Sequence, residues 1–254
     1  MKRVLTIFMI ICIVAVFLPV KTSAENTSFS WYCKRVGNNG QPPLPAEFGF
    51  IEKYPCIWLD KSGSKKVYLT FDAGYENGNI EKILDVLKDK NVKGAFFILL
   101  NLINTNPELV KRMNDEGHLV CNHTAHHKNM SKINDSSIFN NELNVLSDAY
   151  TALTEKPIAK YYRPPEGTFS ENNLKMAQDL GYKTVLWSFA YADWDNASQP
   201  SPEFAKKKIL ENVHDGAVIL LHPTSATNAA ILGDVIDEIR TMGYEVGTLD
   251  EITK

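Results

Sequence analysis

The sequence predicts an α/β fold of about seven parallel strands, with a (β/α) barrel favoured over an open doubly wound sheet. From Lys66 onward, seven short apolar runs rich in β-branched and aromatic residues alternate with six helical patterns. Such repeats are typical of parallel strands joined by right-handed crossovers. Neither a G-x-G-x-x-G nor a P-loop pattern follows the first strand. This disfavours a nucleotide-binding sheet and leaves the barrel as the preferred interpretation.

The predicted elements follow one another in regular order. Strands are predicted at about 66–72, 93–98, 118–121, 160–163, 183–189, 217–221 and 244–247. Helices are predicted between them at 79–90, 107–116, 135–155, 171–180, 202–213 and 227–242. Asn106-Pro107 and Ser201-Pro202 place a capping residue before a proline, which marks helix starts. Gly181 and Gly243 follow helical runs where a left-handed C-terminal cap would lie.

The first residues have the layout of a secretory signal peptide. Lys2 and Arg3 precede an apolar run, 4–20, and the small residues at 22–24 are typical of a cleavage site. We predict a signal peptide over 1–24 and therefore a protein secreted across the cytoplasmic membrane. The alternative is an uncleaved membrane anchor, because the run is only slightly short of a spanning helix.

Two further segments complete the predicted organisation. Residues 25–64 contain several prolines and lack sustained periodicity. We therefore predict an N-terminal extension packed on the barrel rather than a separate fold. Residues 65–254 are predicted to form the main domain.

Composition and charge exclude several classes of protein. The 254 residues are 44% hydrophobic and 22% charged, which excludes general disorder and suffices for one large domain. Loss of the signal takes Lys+Arg from 27 to 24 against 30 Asp+Glu, a net charge of about −6. Such a chain has no electrostatic footprint for nucleic acid. The remaining Cys33, Cys56 and Cys121 form no metal finger or disulfide framework. A Cys33–Cys56 pair stays open, and Cys121 is predicted in the core.

The first strand of the alternating region ends in a carboxylate. The run V-Y-L-T-F-D-A-G over 67–74 is apolar until Asp72 and then turns. Asp and Gly also begin ordinary loops, so this stretch alone leaves a purely structural role open.

Three of the six histidines cluster just after the third predicted strand. Residues 123–127 read H-T-A-H-H. If this segment opens a helical turn, His123 and His127 lie on one face at i and i+4, where two imidazoles can reach one metal ion. His126 lies off that face and is expected to be a bystander or to support the other two. A solvated loop is the alternative.

Three more candidates follow the fourth, fifth and sixth strands. Arg163 precedes two prolines that fix the backbone, and beside Asp72 it would hold that acid ionised as a general base. His222 ends the sixth strand, and Asp193 in the loop after the fifth is a plausible partner that raises its pKa. A surface Arg and a core His are the structural alternatives.

All six candidates follow the carboxyl ends of predicted strands, the face on which barrel active sites are built. Together they offer a general base, a pair of metal ligands, an orienting cation, and a general acid with its carboxylate. This set is suited to metal-assisted hydrolysis of an amide.

Five motifs in order resemble the polysaccharide deacetylases (NodB homology, carbohydrate esterase family 4). They are T-F-D-A-G at 70–74, H-T-A-H-H at 123–127, R-P-P at 163–165, D-W at 193–194 and L-L-H at 220–222. The resemblance spans about Lys66 to the C-terminus and implies a distorted (β/α) barrel. It also implies that Asp72 is the catalytic base, His123 and His127 are metal ligands, Arg163 orients the base, and His222 is the catalytic acid.

A longer string narrows the resemblance. T-F-D-A-G-Y-E-N-G at 70–78, with S-W at 30–31 and N-G-Q-P-P at 39–43, resembles the PdaA-type muramic acid deacetylases. This branch implies removal of the N-acetyl group from N-acetylmuramic acid whose peptide an N-acetylmuramoyl-L-alanine amidase has already removed. It also implies a role in muramic δ-lactam formation in spore cortex, in germination, and a location in the cell wall or spore intermembrane space.

Two positions depart from the wider family. Ala73 stands where most members have a second Asp that binds the metal, and PdaA-type proteins usually have Asn there. We therefore predict a weakly bound divalent metal and expect it to be zinc. Glu166 stands where the wider family often has an aromatic residue. Two alternative functions stay open: a chitin or GlcNAc-polymer deacetylase, and an inactive glycan-binding homologue.

Overall fold

Eight parallel strands form the central sheet of the computed structural model, which describes residues 26–252. They are β2 (Cys56–Ile57), β3 (Lys66–Ala73), β4 (Ala95–Ile98), β5 (Leu119–Asn122), β6 (Ala159–Tyr162), β8 (Lys183–Val185), β9 (Ala217–Leu221) and β10 (Glu245–Gly247). A separate antiparallel pair joins β1 (Phe29–Ser30) to β7 (Thr168–Phe169). The seven predicted strands are all present, and β2 adds an eighth from the N-terminal segment.

The sheet curls into a distorted barrel, as predicted. Its order is β10-β3-β4-β5-β6-β8-β2, and β9 also pairs with β3. Just past β8, Phe189 forms an isolated parallel bridge with Ile219 of β9, and the Leu220 N–H donates to the Phe189 carbonyl at 2.9 Å. The carboxyl ends of β3, β5, β6 and β9 therefore meet at one rim.

Seven α-helices lie in the described part of the chain. They are α1 (Ile80–Asp89), α2 (Leu100–Thr105), α3 (Pro107–Asp115), α4 (Ser136–Thr154), α5 (Glu171–Asp179), α6 (Pro202–Leu210) and α7 (Ala226–Thr241). Pro107 begins α3 and the Ser201 hydroxyl accepts from the Phe204 N–H at 3.2 Å, while Asn106 makes no side-chain cap. The short α2 was not predicted, because the apolar run of β4 continues into it without a capping signal.

Strand alternation divides the core into two layers. On β3, Val67, Leu69 and Phe71 pack with apolar residues of α1 and α7. The intervening Tyr68 packs inside the barrel with Phe97 and other apolar residues. Because successive side chains of a strand point to opposite faces, Asp72 shares the interior face with Tyr68. The pleat of β3 therefore brings the carboxylate to the barrel mouth.

The N-terminal segment contacts the wall of the barrel. The buried Trp31 indole N–H donates to the Trp187 carbonyl at 2.8 Å, and the Asn39 amide donates to the Val213 carbonyl at 2.6 Å. The Asp60 N–H donates to the Gly216 carbonyl at 2.9 Å. The predicted signal peptide lies outside the described residues, and the boundary at 64/65 stays a prediction.

Within 26–252, no helix is long and apolar enough to span a membrane. In the same range no disulfide joins Cys33 to Cys56, and Cys121 is buried.

We expect Gly216→Ala to destabilise the fold much more than Gly181→Ala. Both glycines have positive φ, 73° and 78°, so each variant carries about 1–3 kcal/mol of backbone strain. A Cβ on Gly216 would also lie 2.0 Å from the Asp60 carbonyl oxygen, whereas nothing lies within 4 Å of one on Gly181. Denaturant unfolding measures the difference, and equal losses for the two variants would contradict the close approach.

Candidate active site

Asp72 lies at the barrel mouth with its side chain 11% exposed. Its Oδ1 accepts from Arg163 Nη1 at 2.7 Å, and its Oδ2 is 3.6 Å from His123 Nε2. Burial by itself would raise the pKa of Asp72. The charges of Arg163, His123 and His222 outweigh burial and lower the pKa below its usual value of 3.8. The carboxylate is therefore ionised at neutral pH and able to accept a proton.

Arg163 is fully buried and every part of its guanidinium has a partner. Besides Asp72, it donates to the Thr70 hydroxyl at 2.8 Å and to the Val185 carbonyl at 3.2 Å. Its guanidinium carbon lies 4.1 Å from the centre of the Phe97 ring. A side chain held from this many directions has one rotamer available, so it fixes the orientation of Asp72.

His222 follows β9 and contacts a buried carboxylate. Asp193 Oδ1 lies 2.7 Å from His222 Nδ1, and Asp193 Oδ2 accepts from the His222 backbone N–H at 2.8 Å. The Asn228 amide donates to the same Oδ2 at 2.6 Å. Burial would lower the pKa of His222, but the hydrogen bond and charge of Asp193 outweigh burial and raise it above 6.5. His222 is therefore suited to carry and donate a proton.

The histidine segment is not helical, so the i, i+4 basis for pairing His123 with His127 was wrong. Thr124 and His127 both have positive φ, 74° and 54°. The Thr124 N–H donates to the Asn122 side-chain oxygen, and the His127 N–H donates to the Thr124 hydroxyl. These local hydrogen bonds replace helical ones. The bend still brings the imidazole centres of His123 and His127 within 5.1 Å.

The protonation state of His123 suits metal binding. Its Nδ1 lies 2.9 Å from the Arg163 carbonyl oxygen, which can only accept, so Nδ1 carries the proton and Nε2 keeps its lone pair. Burial lowers the pKa of His123 to about 4, against an opposing effect of Asp72. Among residues 26–252 no group of three His, Cys, Asp or Glu forms a metal cluster. The imidazoles of His123 and His127, with the Nε2 lone pair of His123 free, suit a divalent metal.

His126 is directed away from this pair. Its half-exposed imidazole contacts the carboxylate of Glu142, a buried residue of α4. The sequence patterns missed Glu142, Thr70, Asn122 and Asn228. Glu142 and Asn228 lie within helices, where no local pattern distinguishes them from other helical polar residues.

A cavity of about 650 Å³ joins the candidates. Asp72, His123, His127 and His222 line it, whereas Arg163 and Asp193 lie behind its wall. The other walls carry four aromatic side chains and one carboxylate, which are Tyr75, Trp187, Tyr191, Trp194 and Glu166. The structure thus brings all six predicted residues to one site, four facing the cavity and two supporting them.

Comparison with known proteins finds close relatives. A family model described as polysaccharide deacetylase matches residues 60–185. The peptidoglycan-N-acetylmuramic acid deacetylase PdaA of Bacillus subtilis is 37% identical over 247 residues, covering 95% of this chain and 94% of that protein. The PdaA structure, described as a family 4 carbohydrate esterase, matches with a TM-score of 0.86 and 38% identity. That match covers 89% of this chain and 97% of the PdaA chain.

Two further relatives differ in their described activity. A peptidoglycan-N-acetylglucosamine deacetylase of Bacillus cereus is 33% identical over 206 residues, covering 80% of this chain and 73% of that protein. A structure described as a CE4 family pseudoenzyme from Bacillus anthracis matches with a TM-score of 0.72 and 27% identity. It covers 78% of this chain and 68% of that one.

We expect Asp193→Asn to lower the pKa of His222, because burial is then opposed by the charge of Asp72 without the hydrogen bond and charge of Asp193. NMR titration of the His222 imidazole measures the pKa. Asp195→Asn, at an exposed acid two residues away, is the matched control and should leave it unchanged.

The same substitution should weaken a pH dependence of stability. In the unmodified protein the raised pKa gives stability that is present below pH 6.5 and lost as pH rises through the folded value. In Asp193→Asn the pKa of His222 is raised less, so less stability is lost as pH rises through the folded value. An unchanged His222 pKa would contradict the assigned pairing.

Proposed function

This chain belongs to the polysaccharide deacetylase family, the carbohydrate esterase family 4 hydrolases that act on amide C–N bonds, and we propose that it removes N-acetyl groups from peptidoglycan N-acetylmuramic acid. The observation that carries the proposal is the pair formed by Asp72 and His222. One is a carboxylate kept ionised and the other an imidazole whose pKa is raised, and both line one cavity. Enzymes assign acid and base roles by such opposed shifts.

The proposed roles follow from these contacts. Asp72, oriented by Arg163, removes a proton from the attacking water. His222 then donates its proton to the amine as the C–N bond breaks. The buried Asp193 keeps the His222 ring oriented and stabilises the imidazolium.

A divalent metal fits the two imidazoles of His123 and His127. Members of this family are generally metal-dependent. When bound, the metal, for which we propose zinc, would polarise the acetyl carbonyl and acidify water. Ala73 is fully buried at the end of β3 and offers no ligand atom. Weak binding is therefore part of the proposal.

The substrate proposal comes from the PdaA relative, whose described activity is on N-acetylmuramic acid and which matches over nearly the full length of both chains. We propose that the chain acts on glycan strands after an amidase has removed the peptide. The freed amine can then close on the lactyl group to form muramic δ-lactam. Export, action in the spore cortex and a role in germination belong to this proposal.

One observation favours a second candidate, a GlcNAc-polymer deacetylase. Glu166 lines the cavity with an exposed side chain, and no ion pair to it is found within 26–252. Like charges repel, so this carboxylate disfavours a lactyl carboxylate on the substrate relative to an uncharged GlcNAc unit. The pseudoenzyme alternative is disfavoured, because an inactive site has no physical need for the His222–Asp193 pair at the cavity.

Acetate release from amidase-treated peptidoglycan tests the proposed function. We expect release with the unmodified protein and muramic δ-lactam among the products detected by mass spectrometry. Asp72→Asn and His222→Ala should each lower the rate by about 10²–10⁴-fold, the usual contribution of a general base or acid. Asp89→Asn, at an exposed acid of α1, is the control. Equal rates in all four proteins would refute the mechanism, and release only from chitin oligomers would select the second candidate.

Ala73→Asp tests the metal proposal. Without metal the new carboxylate is buried and unpaired, so the variant should be less stable than the unmodified protein. With metal it gains a ligand, so zinc should raise its thermal midpoint more than that of the unmodified protein. Ala73→Asn, which lacks the charge, is the control. Tight stoichiometric zinc in the purified unmodified protein would refute weak binding.

A further inference from the structure

Glu142 is a buried acid that the proposed chemistry does not use. Its side chain on α4 is only 1% exposed. The carboxylate accepts from the His126 backbone N–H at 3.2 Å and lies 3.1 Å from His126 Nδ1. Lys128 Nζ lies 2.7 Å from the same carboxylate, and the Glu142 main-chain carbonyl accepts from the Ala125 N–H at 2.9 Å. Glu142 thus contacts Ala125, His126 and Lys128 of the loop that carries the histidines.

This loop needs external support. It lies between β5 and the short 3₁₀ turn at Met130–Lys132 and belongs to no helix or strand. Two of its non-glycine residues, Thr124 and His127, have positive φ. Each such residue costs about 1–3 kcal/mol and persists only where surrounding contacts enforce it.

Two consecutive residues of α4, Glu142 and Leu143, provide this support. Besides the Glu142 contacts, the Asn122 amide donates to the Leu143 carbonyl at 2.9 Å, and the Asn122 side-chain oxygen accepts from the Thr124 N–H at 2.9 Å. Residues 142–143 therefore hold the loop just before His123 and again between His123 and His127. These bonds fix the backbone from which the two imidazoles project.

We propose that Glu142 is a positioning residue that sets the spacing of the His123 and His127 imidazoles and thereby the metal affinity of the site. The affinity part rests on the proposed metal role of those two residues. The spacing part does not, because it concerns the loop alone.

The carboxylate is required as an acceptor from several donors at once. Glutamine has the same shape, but one of its terminal atoms is a donor. In Glu142→Gln, either the His126 N–H or the Lys128 ammonium must face that donor. A buried hydrogen-bond network with one unsatisfied group loses more stability than the loss of a single hydrogen bond would suggest.

Amide hydrogen exchange in the metal-free protein tests the spacing part. In Glu142→Gln we expect the amides of Ala125, His126 and His127 to exchange at least about tenfold faster, because local opening of the loop becomes easier. Asp148→Asn makes the same chemical change at an exposed site on the same helix and should leave these rates unchanged.

Cobalt(II) titration tests the affinity part. We expect Glu142→Gln to bind Co²⁺ about 10–100-fold more weakly than Asp148→Asn, the usual effect of losing a supporting partner of a metal site. The visible spectrum of the bound ion should also change, which a general loss of stability does not produce. His126→Ala, at a half-exposed side chain, should shift both measurements in the same direction by a smaller factor.

Exchange rates and Co²⁺ affinity equal to those of Asp148→Asn would overturn the proposal for Glu142. If Glu142→Gln fails to fold, unchanged values in His126→Ala overturn it instead. If the unmodified protein binds no Co²⁺, the proposed metal role fails, and the exchange rates alone decide whether Glu142 positions the loop.

Discussion

The buried ion pair between Arg163 and Asp72 is the interaction on which the site depends. A buried guanidinium is tolerated only when paired and fully hydrogen-bonded, and Arg163 meets this condition through Asp72, Thr70 and main-chain carbonyls. Removal of either partner leaves a charge inside the barrel, which typically costs 3–5 kcal/mol. The same residue that keeps Asp72 ionised therefore also links β3, β6 and β8 around the barrel mouth. The same atoms therefore contribute both to the stability of the fold and to the proposed chemistry.

The polarity of the strands made most of the site predictable. Asp72, Arg163 and His222 each follow a short apolar run, and parallel strands bring such positions to one rim whatever the loops between them do. No knowledge of side-chain contacts is needed for that inference. The ordinary hydrophobic alternation of the chain carries enough information to place these residues together.

The parts that were missed depend on tertiary contacts. The fold of 123–127 is decided by acceptors on Asn122 and Glu142, and Glu142 lies 16 residues beyond His126. The helical turn considered there does not form, because these acceptors bind the N–H groups of Thr124 and His126. Likewise Asn228 supports Asp193 from α7, 35 residues away. The sequence pattern identifies the residues that line or support the site directly. The residues that hold them in place are identified only by tertiary packing.

Contacts of the N-terminal segment determine when the cavity wall can form. Trp31 bonds to Trp187, which lines the cavity and lies 156 residues later, and Asn39 bonds to Val213, 174 residues later. Closing such long loops costs chain entropy before any contact repays it, which slows folding. During synthesis from the N-terminus, Trp31 and β2 cannot form these contacts until β8 and Trp187 have been synthesised. The earliest residues of the described chain therefore complete their contacts with the cavity wall only after β8 and Val213 have been made.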